Sequence, residues 1–169
     1  MYLTNKQMGP VVLRLEDFEA ENYSLIAIHS SRKEDFKVTY LINTILGLYL
    51  ERTTLDVEIE TDQGLASFSL FEYDDPDYHV LWKLVSNKAF ILPESQMASP
   101  LFQYVVSTIS KQGYLLPEHK TVDYFLKVEN TDEQFEISTV IEKLKSIKVI
   151  STAYEIRVEA IKSKNNLIF

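Results

Sequence analysis

The sequence predicts an α+β two-layer sandwich: a mixed, mostly antiparallel sheet with two helices packed on one face, built from β-α-β units related to the ferredoxin-like plan. Three observations lead there. Two helical stripes, over residues 38–49 and 137–144, each follow an apolar strand and each give way to another. Between them lie short segments of alternating polarity that read as antiparallel hairpins. Laid over one another, residues 25–50 and 124–149 pair Glu34 with Glu133, Phe36 with Phe135, Val38 with Ile137 and Ile42 with Ile141 without a gap. Apolar periodicity alone produces many such matches, so the overlay supports two β-α-β units more firmly than a duplicated sequence. The right-handed crossover rule then puts both helices on one layer.

In chain order, residues 1–10 read as a mobile end, 11–15 as a short strand or extended arm, and 16–22 as an acidic turn. Residues 23–28, Tyr-Ser-Leu-Ile-Ala-Ile, form a strand apolar on both faces, as a strand covered on both sides would be. Ser31 and Glu34 have capping-box spacing ahead of the first helix. That helix carries Val38, Leu41, Ile42, Ile45 and Tyr49 as its core stripe, and Gly47 suits a left-handed C-terminal cap.

Residues 55–60 alternate strictly, with Leu55, Val57 and Ile59 inward. Asp62-Gln63-Gly64 turns the chain, and residues 65–73 return as the partner strand. Asp74-Asp75-Pro76-Asp77 is a second turn, and residues 78–85 and 88–92 make a second hairpin through Ser86 and Asn87. Residues 93–100 read as loop and 101–109 as strand, on the β-formers Tyr104, Val105, Val106, Thr108 and Ile109. A strand over 122–129 follows, then cap spacing at Asn130 and Glu133 or at Thr131 and Gln134. The second helix carries Ile137, Val140, Ile141 and Leu144. The last strand, 149–161, puts Ile150, Thr152, Tyr154, Ile156, Val158 and Ala160 on one face, and a polar tail covers 162–169. The whole, 1–169, reads as a single domain.

Composition excludes several classes of function. With no cysteine there is no disulfide, thiolate metal site or cysteine nucleophile. Four glycines are too few for Gly-rich phosphate loops, and no Walker loop, dinucleotide fingerprint, nucleophile elbow or His-Glu-x-x-His occurs. No cofactor and no catalytic residue is therefore assigned. A net charge of -8 opposes nucleic-acid binding. The N-terminal ten residues do not read as a signal peptide and no apolar run is long enough to span a bilayer, so a cytoplasmic protein with no membrane partner is expected. Charge is segregated: eight acids and no Lys or Arg lie between Asp56 and Asp77, while the tail from Lys143 is basic. This reads as solvated faces or as complementary self-association.

Candidate site residues are few. His29 ends the first strand, where ligands often bind in α/β sheets, though a hydrogen-bonded structural role fits it as well. Asp74, Asp75, Asp77 and His79 offer metal-ligand atoms, but the spacing lacks a calcium loop's glycine and glutamate and Pro76 explains the turn, so no metal is assigned. Trp82 reads equally as core anchor or ligand platform. The tightest residue choice in the chain is Leu116-Pro117-Glu118-His119-Lys120-Thr121-Val122-Asp123-Tyr124. Structurally, Pro117 ends the preceding segment and Asp123 or Thr121 satisfies free amides. Functionally, Glu118, His119 and Asp123 form a polar cluster for a ligand or for proton transfer. Phe125, set among charges, suggests a contact patch with another part of the chain or with a second subunit.

On Pro117, Glu118, Val122, Asp123 and Tyr124 the chain resembles the IPExxxVDY family, named for Ile-Pro-Glu-x-x-x-Val-Asp-Tyr, with Leu116 in place of isoleucine. Ser-Leu-Ile-Ala-Ile-His over 24–29 and Phe-Ser-Leu-Phe-Glu-Tyr over 68–73 extend the likeness to most of the chain. The resemblance implies a small cytoplasmic bacterial protein of the Bacteroidota type and brings no catalytic role. The expected function is a non-enzymatic interaction module that self-associates through a strand edge or the Phe125 face, as a homo-oligomer or with a protein partner. The alternative is a small-molecule binder or enzyme whose site gathers His29, Glu118, His119 and Asp123 in one pocket.

Overall fold

β1 (Tyr23–Ser30) lies inside a six-stranded sheet ordered β10-β1-β9-β6-β5-β2, where β2 is Glu51–Arg52, β5 Leu70–Asp74, β6 Leu81–Ser86, β9 Tyr124–Glu129 and β10 Ile150–Ile156. The computed structural model describes residues 23–92 and 111–169, so the arm, acidic turn, loop and strand read at 11–15, 16–22, 93–100 and 101–109 lie outside the described residues. Every ladder between described strands is antiparallel. The β-α-β units are nevertheless present. Alternation of direction along the sheet makes β1 run with β2 and β9 run with β10, and the strands of each unit are separated by others rather than paired.

Helices α1 (Asp35–Leu46) and α2 (Ile137–Lys145) cover one face of this sheet. Val38 and Ile42 of α1 and Val140 and Leu144 of α2 pack on Ile26, Ile28, Tyr124, Leu126 and Val128. The opposite face is also covered. A second sheet, ordered β3-β4-β7-β8, contains Val57–Thr61, Gly64–Phe68, Lys88–Leu92 and Gln112–Tyr114. Its Val57, Ala66, Phe68 and Ile91 meet Leu25, Ala27, Val85 and Phe125. The helix-on-sheet sandwich is thus backed by a third layer, which explains why residues 25–28 are apolar on both sides.

The two sheets are joined by two bends. Residues 65–73, read as one strand, change sheet at Ser69; residues 78–85 and 88–92, read as a hairpin, change sheet at Asn87. β5 pairs with β6 and β4 with β7, so one long hairpin bends across both sheets. The bend is closed by Ser86 N–H donating to the Ser69 carbonyl at 3.0 Å and Ser69 N–H donating to Ser86 Oγ at 3.0 Å.

Some local expectations need correction. Neither capping box forms. Ser31 instead donates its amide, at 2.9 Å, and its hydroxyl to the Val149 carbonyl, while Glu34 pairs with Lys37. Before α2, Asn130 is left-handed (φ 60) and Asp132 Oδ1 accepts the Gln134 amide, which delays the helix to Ile137. Gly47 caps α1 as predicted, with φ 73 and its amide on the Asn43 carbonyl. The helix therefore ends before Tyr49, which is exposed along with Ile45 and Leu55. In β10, Ile150 faces the helices and Ile156 the second sheet, because pairing shifts register between His29 and Ser30.

Candidate functional site

The motif begins where Leu115 and Leu116, both fully buried, lead into a single 3-10 turn at Pro117–His119. The backbone groups that flank this turn need partners, and the fully buried Asn87 supplies them. Its Nδ2 donates to the carbonyls of His119 (2.8 Å) and Val122 (3.0 Å), and its Oδ1 accepts the Leu116 amide at 2.9 Å. Its own amide donates to Asp123 O, and its carbonyl accepts the Leu115 amide. The residue at the sheet crossing is therefore the hub of the motif.

Asp123 and Tyr124 then lock neighbouring elements. Asp123 Oδ2 accepts the Ser30 amide at 2.9 Å, and Oδ1 meets Lys88 Nζ at 2.7 Å. The Tyr124 hydroxyl donates to Asp35 Oδ1 at 2.8 Å, and Ser69 donates to the other oxygen of Asp35 at 2.5 Å. The start of α1, the Ser69 bend and β9 are thus tied through one carboxylate. Burial first, and the adjacent Asp35 charge second, hold the Tyr124 hydroxyl protonated well above its ordinary range.

The sign of the pH effect follows. The unfolded chain loses this proton near pH 10 while the native state keeps it, so the native state binds more protons there and stability falls as pH rises further. The slope from one such group reaches about 1.4 kcal/mol per pH unit. Tyr124→Phe is expected to flatten it in urea titrations run across the alkaline range. At neutral pH the same variant loses about 1–2 kcal/mol, because Asp35 then keeps only the Ser69 donor.

The other candidates face elsewhere. Glu118 Oε1 accepts the amides of Lys162 (2.8 Å) and Ser163 (2.9 Å), and Oε2 accepts the Ser163 hydroxyl at 3.0 Å. Burial alone would raise its carboxyl, but these donors outweigh that and hold it below its ordinary value. The His119 ring packs edge-on against Phe125 at 6.3 Å. His29 stacks on Tyr154 at 5.8 Å, with Nε2 3.4 Å from the Tyr154 hydroxyl. Each of the four therefore answers to a different neighbour. Of the two contacts expected for Phe125, the structure shows the one within the chain: it is fully buried between the sheets, and the interface with a second subunit is corrected. Trp82 is a core residue edge-on to Phe135, with no partner for its Nε1 among the described residues. Asp74, Asp77 and His79 lie on an exposed turn in which Asp75 Oδ1 accepts the amides of Asp77 and Tyr78.

A hollow of about 340 Å³ lies instead along α1, lined by Arg32, Phe36, Lys37, Tyr40, Leu41 and Val149. Phe36 and Tyr40, four residues apart on the helix, are 68% and 69% exposed. Sequence reading missed this face because it followed only the core stripe of Val38, Leu41, Ile42, Ile45 and Tyr49; Phe36 and Tyr40 lie on the other side of the helix. The chain matches no family model, no curated protein and no solved structure.

Proposed function

We propose that this protein is a non-enzymatic interaction module that self-associates through the exposed face of α1. The observation that carries the reading is the pairing of a basic, aromatic hollow with an acidic, aromatic turn elsewhere on the same chain. Around the hollow stand Arg32 and Lys37 against Glu34, while Asp35 is turned inward to Tyr124 and Ser69. The turn between β5 and β6 presents Asp74, Asp77 and a Tyr78 that is 77% exposed. That turn is preorganised: Asp75 bonds the amides of Asp77 and Tyr78, and His79 sits at φ 54.

Hollow and turn belong to opposite ends of β5. Ser69, just before the strand, bonds Asp35, while Tyr73, near its far end, meets Tyr49. Two copies placed side by side in opposite directions bring each turn to the other's hollow, a two-fold arrangement that closes on itself. We also assign the chain to the IPExxxVDY family, and with it to the bacterial cytoplasm. What supports this is the match at Pro117, Glu118, Val122, Asp123 and Tyr124, each of which has a place in the motif.

Sedimentation velocity over a range of concentrations tests the association. A dimer that weakens with salt is expected. Lys37→Glu and Asp77→Lys should each weaken it, and the double variant should recover it. A strict monomer at high concentration overturns self-association. A dimer indifferent to both substitutions overturns the α1 surface and moves the contact to an edge such as β10, whose described ladder is to β1 alone.

A further inference from the structure

The back of the main sheet holds two charges that the α1 reading does not use. Lys83 and Lys127 are direct partners in the β6–β9 ladder and are only 7% and 6% exposed. Two ammonium groups facing each other repel, and burying them is expensive. A fold needing only stability is served as well by apolar residues there, since such exchanges are often neutral or favourable.

Glu129 offsets part of the cost, at 2.6 Å from Lys127 and 3.5 Å from Lys83, and Glu72 stands 3.9 Å from Lys83. The remainder is supplied by the Tyr23 ring, 4.5 Å from the Lys127 ammonium, and by residues 162–169. The Leu167 carbonyl accepts from Lys127 at 2.9 Å, and Phe169 O accepts from Lys83. The Phe169 ring lies 5.3 Å from the Lys127 ammonium and 5.6 Å from that of Lys83. Leu167 fills the adjoining apolar slot and is 2% exposed.

This segment is lightly held for something that covers two charges. Its regular secondary structure is one 3-10 turn, Lys164–Leu167, with no strand ladder among the described residues. Its base is clasped by Glu118 through Lys162 and Ser163, and Asn166 Nδ2 donates to the Leu115 carbonyl at 2.7 Å. Beyond Leu167, Ile168 is exposed. Short segments held by a few contacts open at a fraction of the global free energy.

We infer that residues 162–169 form a displaceable strap over a peptide-binding site, in which Lys83 and Lys127 take main-chain oxygens and the Leu167 slot takes an apolar side chain. The ligand class is a short peptide with apolar residues two positions apart, as Leu167 and Phe169 are in the strap. The ammonium groups read backbone oxygen and the slot reads the side chain, so the strap is the site's own occupant in cis. The site lies on the sheet face opposite the helices and is independent of the α1 hollow.

The test uses the full chain and a fluorescent peptide, Ser-Lys-Asn-Asn-Leu-Ile-Phe, with the sequence of residues 163–169. Glu118→Ala removes the clasp and Leu167→Ala empties the slot; either should raise the peptide's affinity about tenfold or more over the unaltered chain, because the competent state is then more populated. In Glu118→Ala the amides of Lys162 and Ser163 should exchange with solvent faster while those of β9 do not. Adding Lys127→Met, or in a second variant Lys83→Met, should abolish the gain. Peptide affinity unchanged in both strap variants, or exchange at Lys162 and Ser163 that follows global unfolding in the unaltered chain, overturns the inference and makes the segment a fixed part of the core.

Discussion

Asn87→Ala is expected to destabilise the protein by about 3–5 kcal/mol, read as a lowered urea midpoint at unchanged slope. The substitution removes three side-chain bonds at a fully buried site and leaves the Leu116 amide and the Val122 carbonyl without partners, while the His119 carbonyl keeps only the Val122 amide. Each buried unpaired group costs about 1–3 kcal/mol, offset in part by whatever water the small cavity admits. The two backbone bonds of residue 87 survive, so the sheet crossing itself persists. Asn87→Asp should cost more than alanine. It keeps an acceptor for Leu116 but aims a second, charged oxygen at two carbonyls, which repel it. A loss below about 1 kcal/mol for alanine, outside the range for a buried hydrogen-bond hub, would remove Asn87 from the centre of the motif.

That residue also marks where sequence reasoning stopped. Ser86-Asn87 between two apolar strands has the composition of a tight hairpin, and nothing local distinguishes a chain that reverses from one that steps between sheets. Alternation continues through Ser69 in the same way. Both bends are decided by partners far along the chain, β9 and the 115–122 segment for one, α1 for the other. What could be read locally was read: the double-sided β1, the buried Val38 and Ile42, the Gly47 cap and the Gly64 hairpin. The capping boxes failed because Ser31 found the Val149 carbonyl, just before β10, and Asp132 an amide of its own turn, bonds that compete with the cap at similar strength.

The site was less legible than the fold for a related reason. Charge was taken as a sign of the outside. Phe125 between Asp123 and Lys127 therefore looked like a contact patch, and Lys83 and Lys127 were given no role. The missed signal was the company these residues keep: Leu-Trp-Lys-Leu-Val and Phe-Leu-Lys-Val are strands apolar on both faces, and a lysine there is buried unless the sheet ends. Once β9 is central, its odd positions must face something, and in this chain they face a second sheet and the strap.

Phe125→Ala follows from the same geometry and is expected to cost about 3–5 kcal/mol, as large-to-alanine changes in closed cores do. In the ladders Phe125 stands between Ala27 and Val85, and beyond the sheet its cluster includes Phe68, Leu115, Leu116 and Val122. Ala27 is too small to fill the space left behind, and Leu115 and Leu116 are fixed by their amide bonds to Asn87, so little relaxation is available. The His119 ring, edge-on to Phe125, loses its support in the same step. Tyr40→Ala is the control. It removes an exposed ring from α1 at a position where alanine favours helix, so monomer stability should change by no more than about 0.5 kcal/mol while association weakens. Urea unfolding and sedimentation velocity on the two variants together separate the aromatics that hold the fold from those that face a partner. If Phe125→Ala unfolds at the unaltered midpoint but dissociates the dimer, Phe125 belongs to an interface after all and the packing of the two sheets must be redrawn.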